Sequence, residues 1–286
     1  MSAPLVAVVG ATGQQGRSVA LGLRAAGAQV RALVRDPAKD AARSLVAAGI
    51  QLVRADLMDA ESLRTAFAGT DAVFGMTTMS GERGVDGEVA DGIAIADAAL
   101  AAGTGHLVYS SVGGAQRSTG IPHFESKRRV EEHIEGLDLP ATFVRPVFFM
   151  ENLAAQLPDN DGDGEIVIRL PLPDDVPLQM VAVSTIGSVA VRALLEPSRV
   201  PGGAVEIADD ERTGAQIAEA VATATGRPAR YEALPLDALR DDEDMRAMFA
   251  WFTRLPAYRA DFALTRELAP AGSGLTDWVR GRRRRS

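Results

Sequence analysis

The residues Val6-Ala7-Val8-Val9-Gly10-Ala11-Thr12-Gly13-Gln14-Gln15-Gly16 restrict the fold more tightly than any other part of the chain. An apolar run of strand length meets three glycines at three-residue spacing, and an Ala/Leu pattern of helical character follows to about Ala26. Strand, tight turn and helix N-terminus is the order that a dinucleotide site requires. Gly10 lets the chain turn as the strand ends, Gly13 presents no side chain to a pyrophosphate, and Gly16 lets the helix lie close to the sheet. The unpaired N–H groups of the first helical turn then face the phosphates, where the helix dipole also favours negative charge. A glycine turn that holds no ligand would share the local pattern. The early position, after a β-rich run and before a helix, favours the binding role.

Strand and helix signals alternate through the first half. Apolar runs near residues 5–9, 29–34, 50–53, 72–75, 106–109 and 141–144 predict strands. Helical stretches near 14–26, 38–48, 60–67, 86–102 and 124–135 separate them. Each pair forms a βα unit, so the expected fold class is α/β: a Rossmann-type, doubly wound parallel sheet with helices on both faces. The pattern changes after about Met150. Residues 157–164 are rich in Pro, Asp, Asn and Gly and predict a loop, and Pro171, Pro173 and Pro177 break regular structure. Later signals are a strand near 180–183, a helix at 184–195, strands near 204–208 and 230–234, and helices near 214–224, 242–254 and 258–267. The expected division is a dinucleotide-binding domain over 1–155, rejoined by about 180–197. A smaller C-terminal α+β domain over 156–286 forms a lid.

Composition narrows the function. The chain has 286 residues, no cysteine and three histidines, so disulfides, thiolate metal sites and thiol nucleophiles are excluded, and no metal site is expected. No apolar run reaches the roughly 20 residues of a membrane span, and a cytoplasmic protein, monomer or homodimer, is the simplest expectation. Arg280, Arg282, Arg283, Arg284 and Arg285 crowd the C-terminus; without them 25 basic residues face 38 acidic ones, a net charge of −13. So acidic a body argues against nucleic-acid binding. The arginine run is either a solvated, disordered tail or a contact for an acidic partner.

The second strand leads into Arg35-Asp36-Pro37, with Lys39 one helical turn on. NAD sites usually carry an acid at this strand tip. A guanidinium there instead pairs with a 2′-phosphate, each such bond contributing on the order of 1.5–3 kcal/mol. NADP(H) is therefore expected in preference to NAD(H). Asp36 stands one position late for the ribose acid, unless the register shifts. Asp56, followed by Leu57, either accepts from an adenine amine or caps the next helix. Thr77, Thr78 and Met79 follow the fourth strand toward the nicotinamide half, and Gly81, Gly84 and Gly87 mark a loop that could order around a cofactor.

Short-chain dehydrogenases move a proton with a Tyr-x-x-x-Lys pair and an upstream serine. Here Ser110 and Ser111 end the fifth strand and Lys127 opens the following helix, but His123 occupies the tyrosine position. His123 can act as the proton donor, since imidazole titrates near neutrality. Alternatively Lys127 remains as a ribose clamp in a protein with little turnover.

Taken together, the Gly10–Gly16 turn, Arg35-Asp36-Pro37, His123-Phe124-Glu125-Ser126-Lys127 and Phe149-Met150-Glu151-Asn152-Leu153 resemble the NmrA-like family, an atypical branch of the short-chain dehydrogenase/reductase superfamily. Leu172-Pro173-Asp174-Asp175-Val176-Pro177 and Leu275-Thr276-Asp277-Trp278 bring the HSCARG-type NADPH sensors closest. The resemblance implies NADP(H) contacts at Gly10, Thr12, Gly13, Gln14, Gln15, Gly16, Arg35, Lys39, Asp56, Leu57, Thr77, Thr78, Met79 and Lys127, and at Phe149, Met150, Glu151 and Asn152. It implies a redox-sensing or regulatory protein acting through a protein partner, with little dehydrogenase activity. Relatives that reduce quinones or isoflavonoids imply the alternative, an NADPH-dependent reductase using Lys127. Met79 and Met150 stand where the sensor branch tends to carry aromatic residues.

Overall fold

Apolar residues on both sides of the early strands require cover on both faces of a sheet, and the chain supplies it. A computed structural model describes residues 3–80, 82–157 and 164–283. The first half alternates β1 (Leu5–Val8), α1 (Gln14–Ala25), β2 (Gln29–Val34), α2 (Asp40–Ala47), β3 (Gln51–Arg54), α3 (Ala60–Phe67), β4 (Ala72–Met76), α4 (Gly84–Ala101), β5 (His106–Ser110), α5 (Pro122–Glu135) and β6 (Ala141–Pro146). The second half contains β7 (Phe148–Phe149), β8 (Ile166–Leu170), β9 (Leu178–Val181), α6 (Val183–Leu195), β10 (Ala204–Ile207) and β11 (Asp210–Arg212). It continues through α7 (Gly214–Thr225), β12 (Ala229–Ala233), α8 (Glu243–Phe252), α9 (Phe262–Leu268) and α10 (Leu275–Arg283).

Seven strands build the central sheet in the order β3-β2-β1-β4-β5-β6-β10, and every neighbouring pair is parallel. Val6 pairs with Val30 on one side and Ala72 on the other. This is the doubly wound Rossmann arrangement. Successive side chains of β1 point to opposite faces. Val6 and Val8 join Val19, Leu23 and Ile186 in one core, while Ala7 and Val9 join Leu63, Phe67, Ile95 and Val130 in the other. The first core runs on without a break into Ile217, Phe249, Phe252 and Tyr258 of the C-terminal half.

Two elements from beyond residue 155 complete the first half. Helix α6 packs against α1, and β10 adds to β6 as the seventh strand, with Ala204 opposite Phe143. The sequence pattern around 204–208 gave no reason to separate this strand from the smaller C-terminal part, because an edge strand of four residues has the same composition wherever it pairs. Outside the large sheet lie a three-stranded sheet, β11-β9-β7, and a parallel pair, β12-β8.

Part of the arginine run is helical, in place of the disordered tail considered above. Arg280 and Arg282 lie on α10, with Arg280 donating to Asp277 at 3.1 Å, while Arg284 and Arg285 lie outside the described residues. Gly81 and most of the 157–164 loop also lie outside them. No described helix is long and apolar enough to cross a membrane. Among the described residues, no group of three or more His, Asp or Glu side chains is placed to hold a metal ion.

Candidate functional site

Strands β1 and β4 are neighbours in the sheet, yet the chain leaves them toward different sides, and a crevice opens at their C-terminal ends. Such a switch point is where doubly wound sheets bind ligands. Gly10 adopts φ +69°, in the left-handed region open to glycine, and its carbonyl accepts from Gly13 N–H at 2.9 Å. At Gly16 a Cβ would stand 2.3 Å from that same carbonyl oxygen, so only glycine lets α1 touch the turn. Gly13 caps α1 without a side chain, and the first turn holds no acid, which leaves an electropositive helix end at the opening.

The crevice has a volume of about 660 Å³. Gly10, Thr12, Arg35, Asp56, Leu57, Thr77 and Thr78, all singled out from the sequence, line it. Arg35 reaches it from the tip of β2, exposed and without a carboxylate partner among the described residues. Asp36 does not line it; its carboxylate accepts from Ala38 N–H at 2.9 Å and closes the turn. Lys39 is exposed at the start of α2. The two roles weighed for Asp56 separate here. Asp59, not Asp56, caps α3, accepting from the N–H groups of Glu61 and Ser62, while Asp56 accepts from Met58 N–H at 3.0 Å beside the crevice.

The inner wall is a buried polar network. Lys127, near the start of α5, donates from Nζ to the Thr77 carbonyl at 2.7 Å and to Thr77 Oγ1 at 3.1 Å, and pairs with Glu88 Oε1 at 2.9 Å. Ser126 donates to the other Glu88 oxygen, and the Tyr109 hydroxyl lies 2.8 Å from Thr77 Oγ1. Burial opposes charge on Lys127, but Tyr109 and Glu88 outweigh it and raise the ammonium above its ordinary value. Burial likewise raises the Tyr109 phenol, against the pull of Lys127. Thr77 and Glu88 face the crevice, and Lys127 stands directly behind them.

Other sequence candidates lie elsewhere. His123 does not line the crevice; its Nδ1 approaches Asp244 Oδ2 at 2.6 Å without the alignment of a hydrogen bond, and its ring meets Phe124 edge-on. Gln15 accepts the Ser110 hydroxyl at 2.7 Å, whereas the Ser111 hydroxyl is buried with no partner among the described residues. Met150 is fully buried in the core. Glu151 accepts from Val183 N–H at the head of α6 and from the Trp278 indole on α10, Asn152 is exposed, and neither these residues nor Phe149 and Met79 line the crevice.

Met76, Arg83, Glu88 and Asp91 line the crevice and were missed in the sequence. Glu88 carried a usable signal. It falls on the buried stripe of α4 with Gly92, Ile95, Ala96 and Ala99, where a lone carboxylate requires a partner.

The donor set fits a dinucleotide. Helix N–H groups and glycine backbone suit a pyrophosphate, Arg35 suits a further phosphate, and Thr77 and Thr78 supply hydroxyls along the lining, whereas the buried Ser111 does not line the crevice. Known proteins agree with this architecture. The NAD(P)H azoreductase of Xenophilus azovorans is 32% identical over 233 residues, 82% of this chain and 78% of that protein. The (4-alkanoyl-5-oxo-2,5-dihydrofuran-3-yl)methyl phosphate reductase of Streptomyces griseus is 33% identical over 238 residues, 82% of this chain and 79% of that one. The crystal structure of NmrA, a negative transcriptional regulator in complex with NAD, shares the fold with a TM-score of 0.83 at 23% identity, covering 98% of this chain and 95% of that one. The sequence model of the NmrA-like family matches residues 2–278, and the chain belongs to that family.

Proposed function

We propose that this protein binds NADP(H) in the crevice and uses it to reduce a small azo, quinone or conjugated carbonyl compound. The observation that carries the reading is that Gly10 and Thr12 of the glycine turn line one crevice with Arg35, which has no carboxylate partner among the described residues. The reductases aligned over four fifths of the chain support the reaction class.

When bound, the dinucleotide supplies a hydride. The first turn of α1 holds the pyrophosphate, Arg35 and Lys39 hold the 2′-phosphate, and Asp56 and Leu57 flank the adenine. Lys127, held behind Thr77, braces the wall toward the nicotinamide ribose.

One observation favours a second reading, a regulatory or redox-sensing protein that binds NADP(H) and acts through a protein partner. All three Lys127 protons are already given to Thr77 and Glu88, and His123 is turned to Asp244, so neither is a free acid in this arrangement. Calorimetric titration with NADPH, NADP and NADH, followed by NADPH consumption with azo dyes, quinones and enones, separates the two. We expect NADPH to bind at least tenfold more tightly than NADH and to be consumed with at least one acceptor. Binding without consumption across the panel selects the regulatory reading, and absence of binding overturns both.

A further inference from the structure

Lysine is rare in this chain. Of its 30 basic residues only Lys39 and Lys127 are lysines, and the other 28 are arginines. Where a positive charge alone suffices, the chain uses a guanidinium. Lys127 occupies a place that a planar fork cannot fill: a compact ammonium with three donors, its side chain 11% exposed, meeting two oxygens of Thr77 and one of Glu88.

Glu88 is itself 2% exposed and fully committed. One carboxylate oxygen meets Lys127 and the other accepts from Ser126, whose hydroxyl oxygen also lies 2.9 Å from the His123 carbonyl. The charged and titratable groups around the lysine come from three elements. Glu88 belongs to α4 and Tyr109 to β5, with the ammonium 5.4 Å from the Tyr109 ring centroid. On α5 itself, Arg128 is held by Glu131, Glu132 and Glu135, and Glu131 by Arg145. On α4, Asp91 is taken by Arg83. Glu88 is thus the one carboxylate among the described residues that faces the ammonium directly.

We propose that Glu88 is the positioning residue of this crevice: it orients Lys127 against Thr77 and keeps its ammonium ionised at the wall toward the nicotinamide ribose. The proposal rests on the NADP(H) reading for its consequence, but not for its physics. A buried ammonium that loses its counter-charge sheds its proton more readily.

The scarcity of lysine makes the test direct. Protein carrying ¹³C at lysine Cε gives two resonances, with exposed Lys39 as the internal reference. In the native protein the Lys127 resonance should keep its ammonium shift to at least the pH at which Lys39 titrates. In Glu88→Gln its midpoint should fall at least one pH unit below that of Lys39, and Glu88→Asp should recover part of the difference. An unchanged Lys127 titration in Glu88→Gln overturns the proposal. NADPH affinity is read in parallel by fluorescence: flat within twofold from pH 7 to 9 in the native protein, and falling at least tenfold in Glu88→Gln. Native protein that fails to bind NADPH defeats the proposed function, while the lysine titration still decides the role of Glu88. Should Glu88→Gln not fold, Lys127→Met is compared with Glu88→Gln/Lys127→Met. NADPH affinities, or for a protein that binds none melting temperatures, no lower in the double variant than in Lys127→Met are expected if Glu88 acts through Lys127, and a further loss in the double variant overturns it.

Discussion

The imidazole of His123 stands 2.6 Å from the carboxylate of Asp244, whose other oxygen accepts the His123 backbone N–H at 2.9 Å. This pair joins the start of α5 to the start of α8, beside the packed rings of Phe124, Trp251 and Tyr258. The geometry describes a strut between two parts of the molecule.

From that strut follows a first expectation. His123→Gln should lower stability by about 1 kcal/mol, the scale of a partly exposed ion pair, and leave NADPH affinity within twofold, as measured by denaturant unfolding and titration. Burial pushes the Asp244 carboxyl up, but His123 outweighs it and holds the carboxyl below its ordinary 3.8. The stabilisation from Asp244 is therefore present above about pH 3.8 and lost as pH falls through the lower folded value. Melts from pH 7 down to pH 3 should show a steeper acid decline in the native protein than in Asp244→Asn.

On the proposed reading, Arg35 selects between the two dinucleotides. Arg35→Ala should weaken NADPH binding by tenfold to a hundredfold, the equivalent of about 1.5–3 kcal/mol, and change NADH binding less than threefold. Calorimetry with both nucleotides decides; an equal loss for the two would remove Arg35 from the 2′-phosphate.

Gly16→Ala places a methyl group against the Gly10 carbonyl, a backbone atom that cannot swing aside. Overpacking of this kind costs about 1–3 kcal/mol. The variant should melt earlier and bind NADPH more weakly, because the proposed site sets the phosphates on the turn that the methyl group distorts.

Asp209 should make stability depend on pH in the opposite sense to Asp244. Burial raises its carboxyl to about 6, against the opposing bonds from Ala182 N–H and the Thr185 hydroxyl. The folded chain thus holds this proton more tightly than the unfolded chain does. The contribution is full below about pH 3.8 and is lost as pH rises to about 6. Asp209→Asn should flatten that part of the curve, by an amount on the order of 3 kcal/mol, in melts taken between pH 4 and pH 7.

The parallel core was legible because strands buried on both faces leave uninterrupted apolar runs, as at Val6–Val9 and Val73–Phe74. The short strands β7, β8 and β11 were not, since two to five residues beside prolines and acids carry no periodicity of their own. At the site, glycine spacing and the strand-tip arginine announced themselves locally. The partnership of Glu88 with Lys127 did not: it joins two helices through tertiary packing, and only the misplaced charge on an apolar stripe of α4 hinted at it. The strut of His123 was hidden for the same reason, its acid lying on α8.

The seventh strand also sets an order of events during synthesis. Until Ile207 has emerged from the ribosome, β6 has an open hydrogen-bonding edge and α1 lacks the apolar cover of α6. A nascent chain that already carries its whole glycine turn is therefore still unfinished, and fragments cut near residue 155 should self-associate through that edge. Maturation of the amino-terminal half waits on residues translated long after it.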